Sequence, residues 1–554
     1  MTTSLTVHTL EALLLNGGVL ALVGLAAVAL LRGEPANGRR WVIGPLAVAL
    51  AGYFVFWCGF LRPAAGCFAA WAILGAALAV VGSRWRKARE CARLAAPLTV
   101  GTALFVLGAT MLLLLYPGAS ISVTARDRFL TGMPGDNEIP RIFTEIIFSG
   151  NPTRVLGGDW LTSDRPPLQT GVALLGWPLL SALGIDLDTA CATAGIWAQA
   201  LWFPAAWMLL GALGLPARAA LGVTAALGAT GFLVFNTVFV WPKLAGAAFV
   251  VIAFVLWFGP EPRDAGSAAR GRLALGAACA ACGWLAHGGV MFSLVALIPF
   301  VIADAVRRHA WPEWALAGGV FLLLAAPWLS YQKFYSPPGN RLVKWHIAGV
   351  IPPDARTVTQ ALSDRYREVG WSGAWEVRVR NFRAFFAGGW REPFDPWADA
   401  RARRLADVMF PLRTAAGWTL GLTACAWLIV VRSRMLRERA RVHLLCVGWF
   451  VGGLTVWLAL MFFPDSVLTH QGSYVTQLLL LVLLAAWAWM AGRVFFGIIA
   501  AVQWLGFLAT WLAPAAEAHP PIDQVAGVIA AACAVALVAL STWMLASGEK
   551  NPNT

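Results

Sequence analysis

Residues 94–116 have the sequence LAAPLTVGTALFVLGATMLLLLY, which contains no charged side chain. A helix needs about 20 apolar residues to cross roughly 30 Å of hydrocarbon, and this stretch is long enough. Comparable apolar runs recur along the whole chain. They lie at about 9–31, 41–61, 64–82, 166–183, 189–212, 216–236, 243–258, 272–287, 290–306, 314–331, 411–431, 442–462, 475–490, 493–513 and 524–545.

These runs are continuous, whereas the strands of a membrane β-barrel alternate apolar and polar residues. Because lipid offers the backbone no hydrogen-bond partner, a continuous apolar run must cross the membrane as a helix. Hydrophobic residues make up 59% of the chain and charged residues 13%, about half the ~25% of soluble proteins. The composition excludes a series of soluble domains. The sequence predicts an all-α polytopic integral membrane protein with about 13–16 spans.

Much of the net charge of +14 lies in short gaps between the apolar runs. The basic residues of these gaps are Arg32, Arg39 and Arg40; Arg84, Arg86, Lys87, Arg89 and Arg93; and Arg432, Arg434, Arg437, Arg439 and Arg441. Cytoplasmic loops of membrane proteins are enriched in Lys and Arg in this way. The charge therefore predicts that these gaps face the cytoplasm. The expected location is a bacterial inner membrane, and no nucleic-acid partner is expected.

With those gaps in the cytoplasm, two long hydrophilic loops lie on the periplasmic side. The predicted organisation is N-terminal helices at 1–116, a first external loop at 117–165, a transmembrane core at 166–331, a basic external loop at 332–410 and C-terminal helices at 411–554. An ordinary count of spans between 166 and 243 places Arg263 and Arg272 on the wrong side. One apolar stretch there is therefore predicted to be split, short or re-entrant.

Each loop contains a pattern typical of an amphipathic helix at a membrane surface. In the first loop, the apolar residues of 138–148 fall on one face, namely Ile139, Ile142, Phe143, Ile146 and Ile147. In the second, the apolar stripe is formed by Trp371, Trp375, Val379, Phe382 and Phe386, and Arg378, Arg380 and Arg383 flank it. We expect 332–410 to act as a lid on anionic lipid rather than to fold as an independent domain.

The polar residues of the first loop suggest chemistry. Asp136 and Glu138 are two carboxylates spaced by one residue, which suits a general base or a metal ligand. Asp136 or Asn137 equally suits the N-cap of the surface helix. Arg165, followed by two prolines at the head of a span, is either an interfacial anchor or a phosphate ligand.

Together these motifs resemble the first external loop of the GT-C glycosyltransferases, closest to the branch of protein mannosyltransferases and lipid A aminoarabinose transferases. The matching segments are DNE at 136–138, the helix to Gly150, GDW at 158–160 and RPPL at 165–168. The resemblance implies that Asp136 is the catalytic base and that Arg165 contacts the phosphate of a lipid carrier. The family usually has adjacent Asp and Glu and a Lys before Pro-Pro, so the separation by Asn137 leaves Glu138 in either role.

Other polar residues lie at the same predicted face of the membrane. Lys243 follows Trp-Pro at a span end and either snorkels to the interface or binds phosphate. The remaining candidates for the site are Asp159, Asp164, His287, Arg341, Lys344, His346, His470 and Tyr474. Arg341, Lys344 and His346 are predicted to contact a headgroup or phosphate. His287 and the loop with His470 and Tyr474 suit structural roles as well as functional ones.

The resemblance implies an inverting glycosyltransferase that moves a sugar from a polyprenyl-phosphate donor to an acceptor hydroxyl at the periplasmic face. The acceptor would be a glycan, a lipid or a protein, and membrane lipids surround the site. No cofactor is predicted, and Asp136 and Glu138 would hold a divalent cation only with further ligands. The alternatives are an enzyme like the O-antigen ligases or polymerases, and a transporter or flippase of lipid-linked sugars.

Overall fold

The predicted apolar runs form helices in a computed structural model of the chain. The structure describes residues 2–31, 40–128, 135–151, 154–157, 160–260, 267–385, 416–431, 440–462, 472–512 and 522–546. The chain begins with four long helices. They are α1 (Thr2–Leu30), α2 (Arg40–Leu61), α3 (Pro63–Ser83) and α4 (Trp85–Leu113).

The first external loop folds over one end of this helical body. It comprises α5 (Ile121–Asp127), a 3₁₀ turn (Gly135–Glu138), α6 (Ile139–Ser149), β1 (Val155–Gly157), β2 (Trp160–Leu161) and a second 3₁₀ turn (Thr162–Asp164). The two short strands pair antiparallel. Helix α6 confirms the predicted amphipathic helix: Ile139, Phe143 and Ile147 are buried and Glu145 is exposed. Its Phe143 ring packs 5.3 Å from the ring of Phe56 in α2.

Shorter helices build the centre of the protein. They are α7 (Leu168–Ala182), α8 (Leu187–Gln199), α9 (Trp202–Ala212), α10 (Ala217–Leu227), α11 (Gly231–Val238) and α12 (Lys243–Phe258). Helices α10 and α11 meet at an angle of 76°. The stretch predicted to be split or short therefore contains several interruptions.

The basic loop and its flanking helices follow. They are α13 (Ser267–Ala286), a 3₁₀ turn (Gly288–Val290), α14 (Met291–Val295), α15 (Ile298–Arg308), α16 (Trp311–Ser330), a π turn (Tyr331–Tyr335), α17 (Arg341–Ala348) and α18 (Val358–Phe385). The C-terminal part contains α19 (Ala416–Thr419), α20 (Gly421–Val431), α21 (Ala440–Leu460), α22 (Tyr474–Ala491), α23 (Arg493–Trp511) and α24 (Gln524–Ala546).

Within the described residues, eight helices are long and apolar enough to cross a membrane, or up to ten if each of two bent pairs forms one span. The protein is thus an all-α polytopic integral membrane protein. The 13–16 predicted spans exceed this number because several apolar runs are broken or short. Helices α7 and α12 have 15 and 16 residues, about 22–24 Å at a rise of 1.5 Å per residue.

Helix α7 is re-entrant. Its Gly171 packs backbone to backbone on Gly52, which lies about 14 Å inside the end of α2 at Leu61. After α7 ends, Asp186 accepts a hydrogen bond from His8 near the start of α1 at 3.1 Å. Helix α7 therefore begins inside the helical body and ends at the face from which the first loop enters. We call this end, which carries His8, Leu61 and Asp186, the site face.

This re-entry resolves the count of spans. With α7 removed from the count, α8 and α9 lead from the site face to the opposite face, and α12 leads there again after the bent pair α10–α11. Arg270 and Arg272 of α13 then share the opposite face with Arg84, as the positive-inside pattern requires. Arg270 contacts Glu313 at the start of α16 at 3.3 Å, and α16 runs back to the site face.

The predicted stripe of the second loop lies on α18, beyond a break at Gly370 with φ 65°. Trp371 and Trp375 are 83% and 70% exposed, whereas Ala374 and Val377 on the other side pack with Phe462. The aromatic face therefore points away from the helical body, as binding to a lipid surface requires. Phe386 and the rest of the predicted lid, up to 410, lie outside the described residues.

The contact between Gly52 and Gly171 gives a direct test of the re-entrant helix. A Cβ at Gly171 would overlap the backbone of Gly52, so Gly171→Ala should destabilise the protein by about 1–3 kcal/mol. A Cβ at Gly75 in α3 would meet no neighbouring atom within 4 Å. Gly75→Ala should therefore be neutral or stabilising, because alanine favours a helix interior. Thermal unfolding in detergent measures both, and equal melting temperatures would contradict the close α2–α7 contact.

Candidate functional site

Asp136 lies at the centre of a buried polar cluster. One of its carboxylate oxygens accepts a hydrogen bond from Arg165 Nη2 at 2.9 Å, and the other accepts one from Trp241 Nε1 at 2.5 Å. Lys243 Nζ lies 3.4 Å from the centroid of the Trp241 ring and 5.5 Å from that of Tyr474. All five side chains are almost fully buried. We call these five residues the Asp136 cluster.

The first loop places Asp136 here through the 3₁₀ turn that precedes α6. The neighbouring Asn137 donates a hydrogen bond to the carbonyl of Ser122 at 3.1 Å, which ties the turn to α5. The N-cap of α6 is Glu138, and its side chain makes no capping hydrogen bond. The alternative that Asp136 or Asn137 caps α6 is therefore wrong, because Arg165 and Trp241 engage the Asp136 carboxylate and Asn137 Oδ1 accepts no hydrogen bond.

A second break in the helical backbone positions Trp241 and Lys243 at the cluster. Between α11 and α12, Val240 adopts a φ of 53°, and its carbonyl accepts a hydrogen bond from Gln169 of α7 at 2.7 Å. Gln169 in turn accepts from Gln199 at 2.8 Å. The Gln199 oxygen accepts from the N–H of Ala245 at 2.9 Å, a group that has no partner within its own helix. These buried amides support the backbone at both breaks.

The cluster contains more positive than negative charge. Among the described residues, Lys243 Nζ is buried and has no hydrogen-bond partner, and the same holds for Arg165 Nε. Buried polar groups are nearly always hydrogen-bonded, so an unpartnered ammonium group calls for an explanation. Two buried cations and one carboxylate leave the cluster with a positive formal charge, an environment that suits a bound anion.

Asp164 and Arg341 form a second ion pair beside this cluster. Arg341 Nη1 donates to Asp164 Oδ2 at 2.7 Å and Arg341 Nε donates to the carbonyl of Ile351 at 3.0 Å. Burial raises the pKa of Asp164, and the N–H of Leu161 and Arg341 oppose that effect. The Trp160 ring links the two groups, since the Arg165 and Arg341 guanidinium carbons lie 4.4 and 5.0 Å from its centroid.

Glu138 does not join the Asp136 cluster. It pairs with Arg141 Nη2 at 3.0 Å and with Arg126 Nη1 at 3.4 Å, and its side chain is partly exposed. The structure thus separates the two carboxylates that the sequence left interchangeable. Asp136 faces the buried cations, and Glu138 faces arginines near the surface.

Lys344 is buried but fully engaged. Its three protons are donated to Asp354 O at 2.7 Å, to Asp354 Oδ1 at 2.8 Å and to Arg356 O at 3.1 Å. The hydrogen bond from Lys344 lowers the pKa of Asp354. Lys344 therefore closes the turn between α17 and α18, and the predicted contact with a phosphate would require these bonds to break.

The histidines have different surroundings. His287 is buried, and its Nδ1 accepts the N–H of Gly289 at 3.1 Å. His346 Nδ1 hydrogen-bonds the carbonyl of Leu342 at 2.6 Å. His470, like Asp159, lies outside the described residues.

Tyr474 donates a hydrogen bond to Asn236 Oδ1 at 2.7 Å. This contact joins the start of α22 to α11, next to the break that presents Trp241. Sequence reasoning missed Trp241, Gln169 and Gln199 as parts of the site. A buried indole N–H needs an acceptor, so the Trp-Pro-Lys motif contained a usable signal, whereas the two glutamines lie within apolar runs and become informative only through their partners.

No group of three or more His, Cys, Asp or Glu side chains positioned for a metal ion occurs in the part of the chain that the structure describes. Scans against models of protein families, curated proteins and solved structures find no match to this chain. A functional assignment therefore depends on the geometry of the two clusters and on the sequence motifs.

A stability measurement tests whether the buried ion pair of Arg341 and Asp164 has a structural role. Removing one partner of a buried ion pair leaves the other uncompensated, so Arg341→Met should destabilise the protein by about 3–5 kcal/mol. Arg367→Met, which changes an exposed arginine of α18, is the matched control and should leave the melting temperature unchanged. An unaltered melting temperature for Arg341→Met would show that the pair does not hold the two loops together.

Proposed function

We propose that the protein is an inverting membrane glycosyltransferase that uses a polyprenyl-phosphate sugar as donor and an acceptor hydroxyl as nucleophile. The observation that carries this proposal is the Asp136 cluster: a buried carboxylate beside Arg165 and the unpartnered ammonium group of Lys243. The motif resemblance to the GT-C glycosyltransferases supports it independently, because it assigns the same two residues, Asp136 and Arg165, to base and phosphate ligand. The active site would face the periplasm, given the basic gaps at the opposite face.

The chemistry that these residues offer is a displacement at the anomeric carbon. Asp136 takes the proton of the acceptor hydroxyl as its oxygen forms the new bond to that carbon. The bond from the carbon to the phosphate oxygen breaks, and its electron pair remains on the phosphate. Lys243 and Arg165 stabilise the charge that develops there. Attack opposite to the leaving phosphate inverts the anomeric configuration.

The ion pair between Asp136 and Arg165 couples donor binding to this chemistry. Without a donor, Arg165 holds one carboxylate oxygen of Asp136 and Trp241 holds the other. A donor phosphate competes for the same guanidinium group and for Lys243. Once Arg165 binds the phosphate, Asp136 is released for the acceptor hydroxyl, so the base becomes effective only when a donor is present.

The positions of the buried acids favour transfer over transport. Transporters place ionisable residues within their spans. Asp136 and Asp164 lie in the first loop, whereas the buried Asp304 and Asp523 lie close to helix ends and engage Arg308 and Thr6. An enzyme like the O-antigen ligases would also use the second loop, but it would leave the pairing of Asp136 with Arg165 without a role.

Asp136→Asn tests the base. It preserves shape and removes the proton acceptor, so turnover with a polyprenyl-phosphate sugar should fall by about 10²–10⁴-fold. The matched control is Glu138→Gln, which should retain most of the activity because Glu138 faces the surface arginines. Sugar transfer is measured on protein that elutes as a single species. Normal turnover in Asp136→Asn together with loss in Glu138→Gln would reverse the assignment.

Lys243→Met tests the phosphate site. A charge-assisted hydrogen bond contributes about 1.5–3 kcal/mol, so donor affinity should fall about ten- to a hundredfold. The donor-free protein should be as stable as the wild type or more so, because a buried charge that has no hydrogen-bond partner has been removed. Lys333→Met, at an exposed lysine near the same face, should change neither property. Reduced stability with unchanged donor affinity would assign Lys243 a structural role.

A further inference from the structure

The re-entry of α7 leaves a space in the half of the membrane body below it. A cavity of about 570 Å³ occupies this space, within the range of roughly 300–1,000 Å³ typical of ligand sites. Its walls include the second half of α1, the first half of α2, residues 91–102 of α4 and the junction of α8 with α9. The described residues that line it include no charged side chain.

The top of the cavity borders the Asp136 cluster. Leu168 and Gln169, which follow Arg165 by three and four positions, form part of its wall, as do Ala245 of α12 and Ala286 of α13. Ala245 lies two residues after Lys243, and Ala286 directly precedes His287. The three segments that surround the buried cations thus continue downwards as walls of an apolar cavity.

The side of the cavity is accessible from the surface that lipid would cover. Ala21 of α1 and Ala96 of α4 line it and are themselves exposed, as is Val100 one turn further along α4. A chain within the bilayer can therefore reach the cavity from its exposed side without crossing water. An apolar cavity that ends beneath buried cations has the shape and charge of a site for an anionic lipid.

We propose that this cavity holds the apolar chain of the same lipid whose phosphate binds Lys243 and Arg165. The proposal rests on the proposed function, which supplies a polyprenyl phosphate as that lipid. The cavity extends from Gln169 and Ala245 beside the cations down to Val28 and Trp41 near the opposite face, so a long chain fills it and a single five-carbon unit does not. The site thereby selects long-chain donors and fixes the depth of their phosphate.

The experiment fills the exposed side of the cavity with larger side chains, and the resulting variants are called plugs. Ala21→Trp and Ala96→Trp place an indole in the lining of α1 or α4, and Ala79→Trp places one on the exposed surface of α3, outside the cavity, as the matched control. Binding of a long-chain polyprenyl phosphate and of isopentenyl phosphate, a single five-carbon unit, is measured for the full-length protein in nanodiscs. The smaller changes Ala21→Leu and Ala96→Leu serve if a tryptophan variant fails to fold.

The two plugs should weaken binding of the long-chain phosphate about tenfold, which corresponds to about 1.4 kcal/mol, and leave binding of isopentenyl phosphate unchanged. The control should bind both as the wild type does. Wild-type affinity of the plugged variants for the long chain would overturn the proposal and leave the cavity to an ordinary membrane lipid. Failure of the wild type to bind either phosphate would instead refute the proposed function, and this outcome is distinct because it does not depend on the plugs.

Discussion

Two interruptions of the helical backbone meet inside the membrane body, where every polar backbone group needs a partner within the protein. Gln169 at the start of α7 meets this need by donating to the carbonyl of Val240, between α11 and α12. Gln199 extends the same network to the N–H of Ala245. Without these amides, the breaks would leave backbone groups without hydrogen-bond partners. Without the breaks, Arg165 and Lys243 would not lie in the same cluster.

The same constraint explains why the site and the cavity lie next to each other. Because α7 begins inside the body and returns to the site face, Arg165 at its head is carried inwards, towards Asp136. The space that a complete span would have occupied below α7 is then left to other apolar material. Glycines permit this arrangement, since the close contact of Gly52 with Gly171 leaves no space for a Cβ on either residue.

The electrostatics of the site follow from burial. Among the described residues, Asp136 is the carboxylate that offsets Arg165 and Lys243, and Asp164 is engaged by Arg341. A buried positive excess of this kind is costly in the free protein and favourable with a bound anion. Under the proposed function, this cluster is the anion site, and Arg165 and Trp241 hold the carboxylate of Asp136 until the donor phosphate binds.

The sequence alone determined the class of the protein and most of its helices, because runs of apolar residues must become helices in lipid whatever their neighbours are. It also predicted α6 from its periodicity, and it indicated that one apolar stretch between 166 and 243 is split, short or re-entrant. Tertiary structure decided which stretch this is, since re-entry depends on contacts between Gly52 and Gly171, which are distant in the chain. It also separated Asp136 from Glu138, engaged Lys344 in a turn and brought Trp241 to the carboxylate, because side-chain partners depend on packing that spacing along the chain does not encode.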